Sequence, residues 1–504
     1  MGANQSKTPL PNEKLVIERL RAMEIRDQSD DYVQVDEKAV FGSGKNSFRA
    51  PWTELSVSEV AHWEHELLQD PKNRLALSAL SAADPNTVLT SRATTIKDQQ
   101  IFNIKIPFEG APITNQRQSG RCWLFASTNV FRVALMKRHN LDKFELSQAY
   151  LFFYDKLEKA NFFLEQILDT TSDDLDTRTI QTLMQSPVGD GGQWDMVYNL
   201  VHKYGLVPQV LYPDSHNAQA SGSINSLLTT KLREDALQLR ALATSGTKSA
   251  REISAVKDKM IREVHLILIL TLGPPPSPTT EFTWNYLDKN GAAQVLKTTP
   301  VAFSKELSSP KSIRITNSTV HDMFSLVNDP RNEYNSLLTV DRLGNIVGGR
   351  GITYVNVSMD IMKEACIKML QAGLPIFFGS DVGKYSNGAS GIMDTSLVDY
   401  ELGFNVRLGM SKAQRLMVGE SAMTHAMVLT AVHVEDGKSV RWRVQNSWGE
   451  GAGTDGWFVM SDKWMDEFVY QAVVEPRFVS KETRAILDSE PKVLPLWDPM
   501  GALA

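Results

Sequence analysis

Two apolar runs flank the dipeptide Asp436-Gly437. Thr424-His425-Ala426-Met427-Val428-Leu429-Thr430-Ala431-Val432 precedes it, and Val444-Gln445-Asn446-Ser447-Trp448-Gly449 closes the run that follows. Asp-Gly favours a two-residue hairpin turn, so the pattern predicts two antiparallel strands closed at that point. If Glu435 faces Lys438, His425 faces Trp448 and Met427 faces Asn446. Side chains two apart share a face, which makes His425 and Asn446 diagonal neighbours on one side of the ribbon, with the Trp448 indole beside them. A bulge would break this register.

Elsewhere the apolar spacing is helical. It predicts a partly helical segment around Lys14 to Met23, helical periodicity from Leu55 to Ala83, a central helix from Cys122 to Arg138, and further helix to about Leu183. Ile101 to Pro107 reads as a strand leading into the loop before Cys122. The longest apolar run, Val264 to Leu272, is half of the ~20 residues a membrane span needs, and reads as a buried element. Gly273-Pro274-Pro275-Pro276-Ser277-Pro278 breaks the chain after it. Tyr354 to Val474 is the strand-rich part, with Trp457 to Met460 among its last strands. No internal repeat is visible.

Candidate chemistry starts at Cys122, in the run Gln116-Arg117-Gln118-Ser119-Gly120-Arg121-Cys122-Trp123. A thiol at a helix N-terminus meets unpaired backbone N–H groups and the positive end of the macrodipole, which favour thiolate, and Arg121 adds positive charge. A lone buried cysteine is ordinarily structural; the His425 and Asn446 pair reverses that. His425 takes the thiol proton, the resulting ion pair keeps thiolate populated near neutral pH, and Asn446 fixes the imidazole tautomer. The Gln116 side-chain N–H and the Cys122 backbone N–H converge on the oxygen of a tetrahedral intermediate.

Composition narrows the setting. The chain has 504 residues, 42% of them hydrophobic, and a net charge of −6, so no global basic footprint for nucleic acid exists. Two cysteines, Cys122 and Cys366, argue for a reducing compartment without a disulfide framework. Cys366 sits on an amphipathic helical pattern from Met362 to Leu370. The polar stretch Met1 to Glu24 predicts no signal peptide, and Glu13, Glu18 and Glu24 oppose a mitochondrial presequence. Met1-Gly2-Ala3-Asn4-Gln5-Ser6 fits an N-myristoylation pattern at Gly2, although one acyl chain binds membranes only marginally. His62 and His65 could be metal ligands by spacing, but without a third ligand they read as a solvated helix face, and no metal or cofactor is expected. Gly191 and Gly192 are a plain turn or, as favoured here, bare backbone that an extended substrate approaches. Trp497, Met500 and Leu503 in the last residues are costly to leave in water, which suggests that the end of the chain enters a cleft.

Gln116, Gly120-Arg121-Cys122-Trp123, His425 and Asn446-Ser447-Trp448-Gly449 together resemble the papain-like cysteine proteases. With Asp190-Gly191-Gly192-Gln193-Trp194-Asp195, Leu338-Thr339-Val340-Asp341-Arg342-Leu343-Gly344-Asn345 and the Trp497 to Ala504 terminus, the chain is similar to the bleomycin hydrolase family of intracellular cysteine aminopeptidases. About 300 residues separate Cys122 from His425, against about 130–150 in the cathepsin-like pattern, so a large insertion is implied. Ser119 stands where secreted relatives carry a disulfide cysteine.

The resemblance implies an α+β fold, a helical half plus a β-barrel-like half, with a large mainly helical insertion. The expected divisions are a polar N-terminal extension (1–50), an N-terminal catalytic half (51–200), the insertion (201–350), a strand-rich half with His425 and Asn446 (351–480), and a C-terminal arm in the cleft (481–504). It implies backbone contacts to substrate from Gly191 and Gly192, the Trp448 indole at the substrate site, and the α-carboxylate of Ala504 meeting the substrate's free amino group. Peptide and amino-acid-amide substrates follow, with bleomycin and homocysteine thiolactone as further ones. A cytoplasmic or mitochondrial homohexamer without integral membrane association also follows. The competing readings are a papain-like endopeptidase and a hexamer that binds DNA through a channel whose basic character could arise only on assembly.

Overall fold

The computed structural model describes residues 52–308 and 323–503. The extension over residues 1–50 with its helical segment, Gly2, and Ala504 at the other end lie outside the described residues. The chain divides after Leu67 into two units. In the first, helix Val57–Leu67 buries none of its side chains. His62 on that helix sets Nε2 3.4 Å from Glu66 Oε1 one turn on.

The second unit carries a sheet that has twelve strands among the described residues. In chain order these and a separate hairpin are β1 (Ile104–Lys105), β2 (Phe282–Leu287), β3 (Ala293–Thr298), β4 (Phe324–Val327), β5 (Ser336–Val340), β6 (Tyr354–Asn356), β7 (Ile376–Ser380), β8 (Ser386–Asn387), β9 (Ile392–Met393), β10 (His425–Glu435), β11 (Lys438–Gln445), β12 (Trp457–Ser461), β13 (Val469–Val474) and β14 (Lys492–Leu494). The sheet order is β14-β5-β6-β4-β13-β7-β10-β11-β12-β9-β8, with β1 beside β10 and β2–β3 paired apart. β7 and β13 are buried along their whole length, as central strands covered on both faces are, and Gln471 within β13 meets its need for a partner at Ser325.

Helix Cys122–Arg138 runs through the core and packs on β10 and β7. It is buried nearly all round, so its polar groups must find partners inside. Ser127 and Thr128 hydroxyls donate to the carbonyls of Trp123 and Leu124, at 2.6 and 2.7 Å. Helix Gln148–Asp169 follows, N-capped by Ser147, whose hydroxyl accepts from Tyr150 N–H at 3.1 Å. Cys366 is buried on helix Met359–Gln371, within the amphipathic pattern read from the sequence.

Helices Gly222–Thr244 and Ala250–Leu272 pack on Gln148–Asp169, within the stretch expected to be an insertion. A Ser249/Glu252 capping box starts the second of them, and Gly273 ends it at φ +85°. The apolar run at its end, read from the sequence as a buried element, is buried on one side only. Val264, Leu268 and Leu272 turn inward at helical spacing, and the same geometry turns Leu266 and Leu270 outward, 56% and 76% exposed. The stretch 201–350 also carries strands beside these helices. It contains the β2–β3 hairpin, and β4 and β5 join the main sheet, so the strand-rich part starts well before Tyr354. The predicted strand at Ile101–Pro107 shrinks to β1, against Val432 and Ala431 of β10.

Candidate active site

The β10–β11 ribbon turns at Asp436-Gly437, and both residues have positive φ as that turn requires. Glu435 pairs with Lys438 as counted from the sequence. One register shift between Val434 and His433 displaces the pairing by a residue, and a second between Ala431 and Leu429 restores it, so Val428 faces Gln445. The end of the ribbon therefore recovers the register set at the turn. His425 Nε2 lies 2.9 Å from Asn446 Oδ1, and the His425 and Trp448 ring centroids are 5.0 Å apart. His425 and Asn446 are buried. Asn446 Oδ1 also accepts the Ser447 N–H at 2.8 Å, which fixes the amide with its oxygen toward the imidazole.

Cys122 opens its helix against the start of β10. The backbone N–H groups of Ala426, Trp123 and Cys122 itself face the sulfur, so the thiol sits beside the residue that follows His425. Burial pushes the thiol up to about 11, opposed by those N–H groups and aided by the Asp190 charge. Burial likewise pushes His425 down to about 4, against the Asn446 hydrogen bond. Burial thus works against the charged form of each group. Arg121 does not supply the expected positive charge. Its buried guanidinium is held by Asp214 through two bonds of 2.8 Å and lies against the Phe125 and Phe152 rings. With Nε2 engaged by Asn446, Nδ1 is the imidazole nitrogen outside that bond.

The loop before Cys122 is stitched to the strand end after Asn446. Gln116 N–H donates to Ser447 O at 2.8 Å, and Gly449 N–H to Thr114 O at 3.0 Å. Gln116 Nε2 donates to Ser119 O at 2.8 Å, and its second hydrogen remains for another acceptor. One anchor escaped the sequence reading, which took the Asp190-Gly191-Gly192 run for its glycines alone. The Asp190 carboxylate accepts Gly120 N–H at 2.9 Å, Ser221 Oγ–H at 2.5 Å and Asn225 Nδ2–H at 2.7 Å, and pairs with buried Lys156 at 2.6 Å. Burial works to raise this carboxyl, but Lys156 and the hydrogen bonds hold it well below the usual carboxylate range. Its carbonyl accepts the Trp123 indole N–H at 2.7 Å.

Gly191 and Gly192 serve different neighbours. A Cβ on Gly192 would stand 2.5 Å from the Trp123 ring, and one on Gly191 2.6 Å from Leu503 O. Gln193 Nε2 donates to Ala502 O at 2.7 Å. The C-terminal segment thus runs along the glycine edge at Gly191, while Gly192 faces Trp123, the residue after the thiol in sequence. It arrives there from β14, which pairs in parallel with β5, and buries Met500. Trp497 stays 39% exposed, with the Arg178 guanidinium 4.3 Å from its ring centroid. A cleft of about 550 Å³ flanks this segment, lined by Phe162, Gly191, Arg342, Leu496 and Leu503 among others. Among the described residues no cluster of three potential metal ligands exists, and no helix is long and apolar enough to cross a membrane.

Residues 54–501 match the Peptidase C1-like family model. The chain is 43% identical over 459 residues to bleomycin hydrolase of Rattus norvegicus, an alignment that covers 89% of this chain and 99% of that protein. It is 41% identical to the "Cysteine proteinase 1, mitochondrial" of Saccharomyces cerevisiae, covering 89% and 93%. The crystal structure of PepW from Lactobacillus rhamnosis superposes with a TM-score of 0.84 at 39% identity, over 90% of this chain and 99% of that one. The chain belongs to the Peptidase C1-like family, with a papain-like α+β fold. It is a cysteine peptidase.

Proposed function

We propose that this peptidase is an intracellular aminopeptidase that releases N-terminal residues from peptides and amino-acid amides. Cys122 is its nucleophile, His425 its base and Asn446 the orienting residue. His425 Nδ1 takes the thiol proton as sulfur attacks the scissile carbonyl carbon. The oxygen of the tetrahedral intermediate meets the Cys122 N–H and the free hydrogen of Gln116 Nε2. Collapse breaks the C–N bond, and the imidazolium returns its proton to the leaving amine. Water, deprotonated by His425, then hydrolyses the thioester and restores the thiol. Trp448 covers the imidazole on the leaving-group side and limits water there.

The observation that carries the exopeptidase reading is the C-terminal segment on the Gly191 edge. It occupies backbone that an extended substrate would otherwise use, leaving little room ahead of the first residue. Ala504, next after Leu503 in sequence, is assigned the contact with the substrate's α-amino group. The similarity to bleomycin hydrolase extends the proposed substrates to amide drugs such as bleomycin and to homocysteine thiolactone. Two buried, unpaired cysteines suit a reducing compartment, either the cytoplasm or the mitochondrion named for the yeast relative. Exposed Leu227, Leu237, Leu266 and Leu270 on the insertion helices suit self-association as a homohexamer.

The test compares one fluorogenic peptide amide with a free and with an acetylated N-terminus. Cleavage of the free form alone is expected. Equal cleavage of both would make the enzyme an endopeptidase.

A further inference from the structure

We infer that the Asp329–Arg331–Asp498 cluster, with Gln193, is a positioning device that sets the depth of the C-terminal segment in the cleft. The cluster thereby limits how much substrate chain is admitted ahead of the scissile bond. This rests on the aminopeptidase reading above, and it places the gauge in residues away from the thiol.

The attachment is built from the sheet outward. Asp329 follows β4 and is buried, its N–H held by Asn356 Oδ1 at 2.9 Å at the end of β6. Its carboxylate accepts from Arg331 Nε at 3.0 Å and Nη2 at 2.8 Å, a fork that leaves the guanidinium one orientation. The same Nη2 donates to Asp498 Oδ1 at 2.7 Å. That oxygen also accepts Met500 N–H at 2.8 Å, so the ion pair fixes the turn Pro499–Gly501 from which the last residues depart. Beyond the turn, Gln193 Nε2 takes the Ala502 carbonyl.

Both partners of the far attachment are nearly enclosed, with 12% and 11% of the Arg331 and Asp498 side chains exposed. A surface tail needs no such anchor. Tails of ordinary sequence fray unless tied down, and here the tie lies in the sheet that carries β10 and reaches its catalytic end through Gln193. Loosening it lets the segment withdraw from Gly191 and frees that backbone for a longer substrate chain.

The test uses full-length Arg331→Met, which keeps the stem packing, and Asp498→Ala, with removal of residues 499–504 as the reference. The acetylated and free peptide amides are assayed together, and hydrogen exchange of residues 494–503 is followed by mass spectrometry. Arg331→Met and Asp498→Ala are each expected to cleave the acetylated substrate at least about tenfold faster than the parent, with faster exchange in that segment and a raised KM for free aminoacyl amides as the contact to the α-amino group loosens. A gain in the truncated enzyme but in neither variant overturns the positioning role and leaves the aminopeptidase reading standing. No gain in the truncated enzyme overturns both. If Arg331→Met does not fold, Asp498→Ala carries the same expectation alone, and an unchanged ratio there is decisive against it.

Discussion

His425 Nε2 lies 2.9 Å from Asn446 Oδ1 across the end of a ribbon that turns at Asp436-Gly437. The bond directs one imidazole nitrogen at a fixed amide oxygen and leaves the other for the proton transfer proposed with the thiol. Replacing Asn446 by Ala removes the orienting partner but not the base. Turnover is expected to fall by roughly 10- to 10³-fold, less than the ~10⁴ cost of disabling a charged orienting carboxylate. Steady-state kcat on an aminoacyl amide measures it, and an unchanged value would separate the hydrogen bond from catalysis.

Burial of His425 also has a thermodynamic consequence. Its pKa falls from the ordinary 6.5 to about 4 in the folded protein because burial disfavours the imidazolium. The unfolded chain therefore takes up that proton first as pH drops. The group costs no stability above 6.5, and the loss grows as pH falls through the window to about 4, reaching roughly 3 kcal/mol. Urea unfolding at pH 7 and pH 4.5 should show the parent losing more stability than His425→Gln. Equal losses would mean that the imidazole is protonated in the folded state.

How much of this was legible follows from which contacts are local. The His425–Asn446 pairing could be counted from Asp436-Gly437 because both strands grow from one turn. The count survived only because the two register shifts cancel, which no residue pattern announces. Helix Cys122–Arg138 has the predicted bounds because apolar residues recur along its whole span and its start lies behind Gly120. Arg121 was misread because its partner, Asp214, lies far along the chain. β4 was hidden in a stretch read as helical, since four buried residues, Phe-Ser-Leu-Val, are too few to show strand alternation. The parallel pairing of β14 with β5 joins distant segments and left no mark in either one.

Gly192 gives a sharp steric prediction. A methyl group there would press on the Trp123 ring at 2.5 Å, and the indole is buried next to Cys122 and cannot retreat. Gly192→Ala is expected to cost about 1–3 kcal/mol of stability, as overpacked cores do, and to lower kcat by displacing the nucleophile's neighbour. Chemical denaturation and turnover together check this. A variant with the parent's stability and rate would show that Trp123 yields freely.

Covalent capture of the thiol tests the central claim most directly. A brief exposure to an aminoacyl chloromethyl ketone with a free α-amine, followed by peptide mass mapping, is expected to show one adduct, on Cys122. The rate should drop at least about 100-fold in His425→Ala, since the thiolate is the reactive form and the base generates it. Labelling at Cys366 in place of Cys122, or a rate indifferent to His425, would contradict the account.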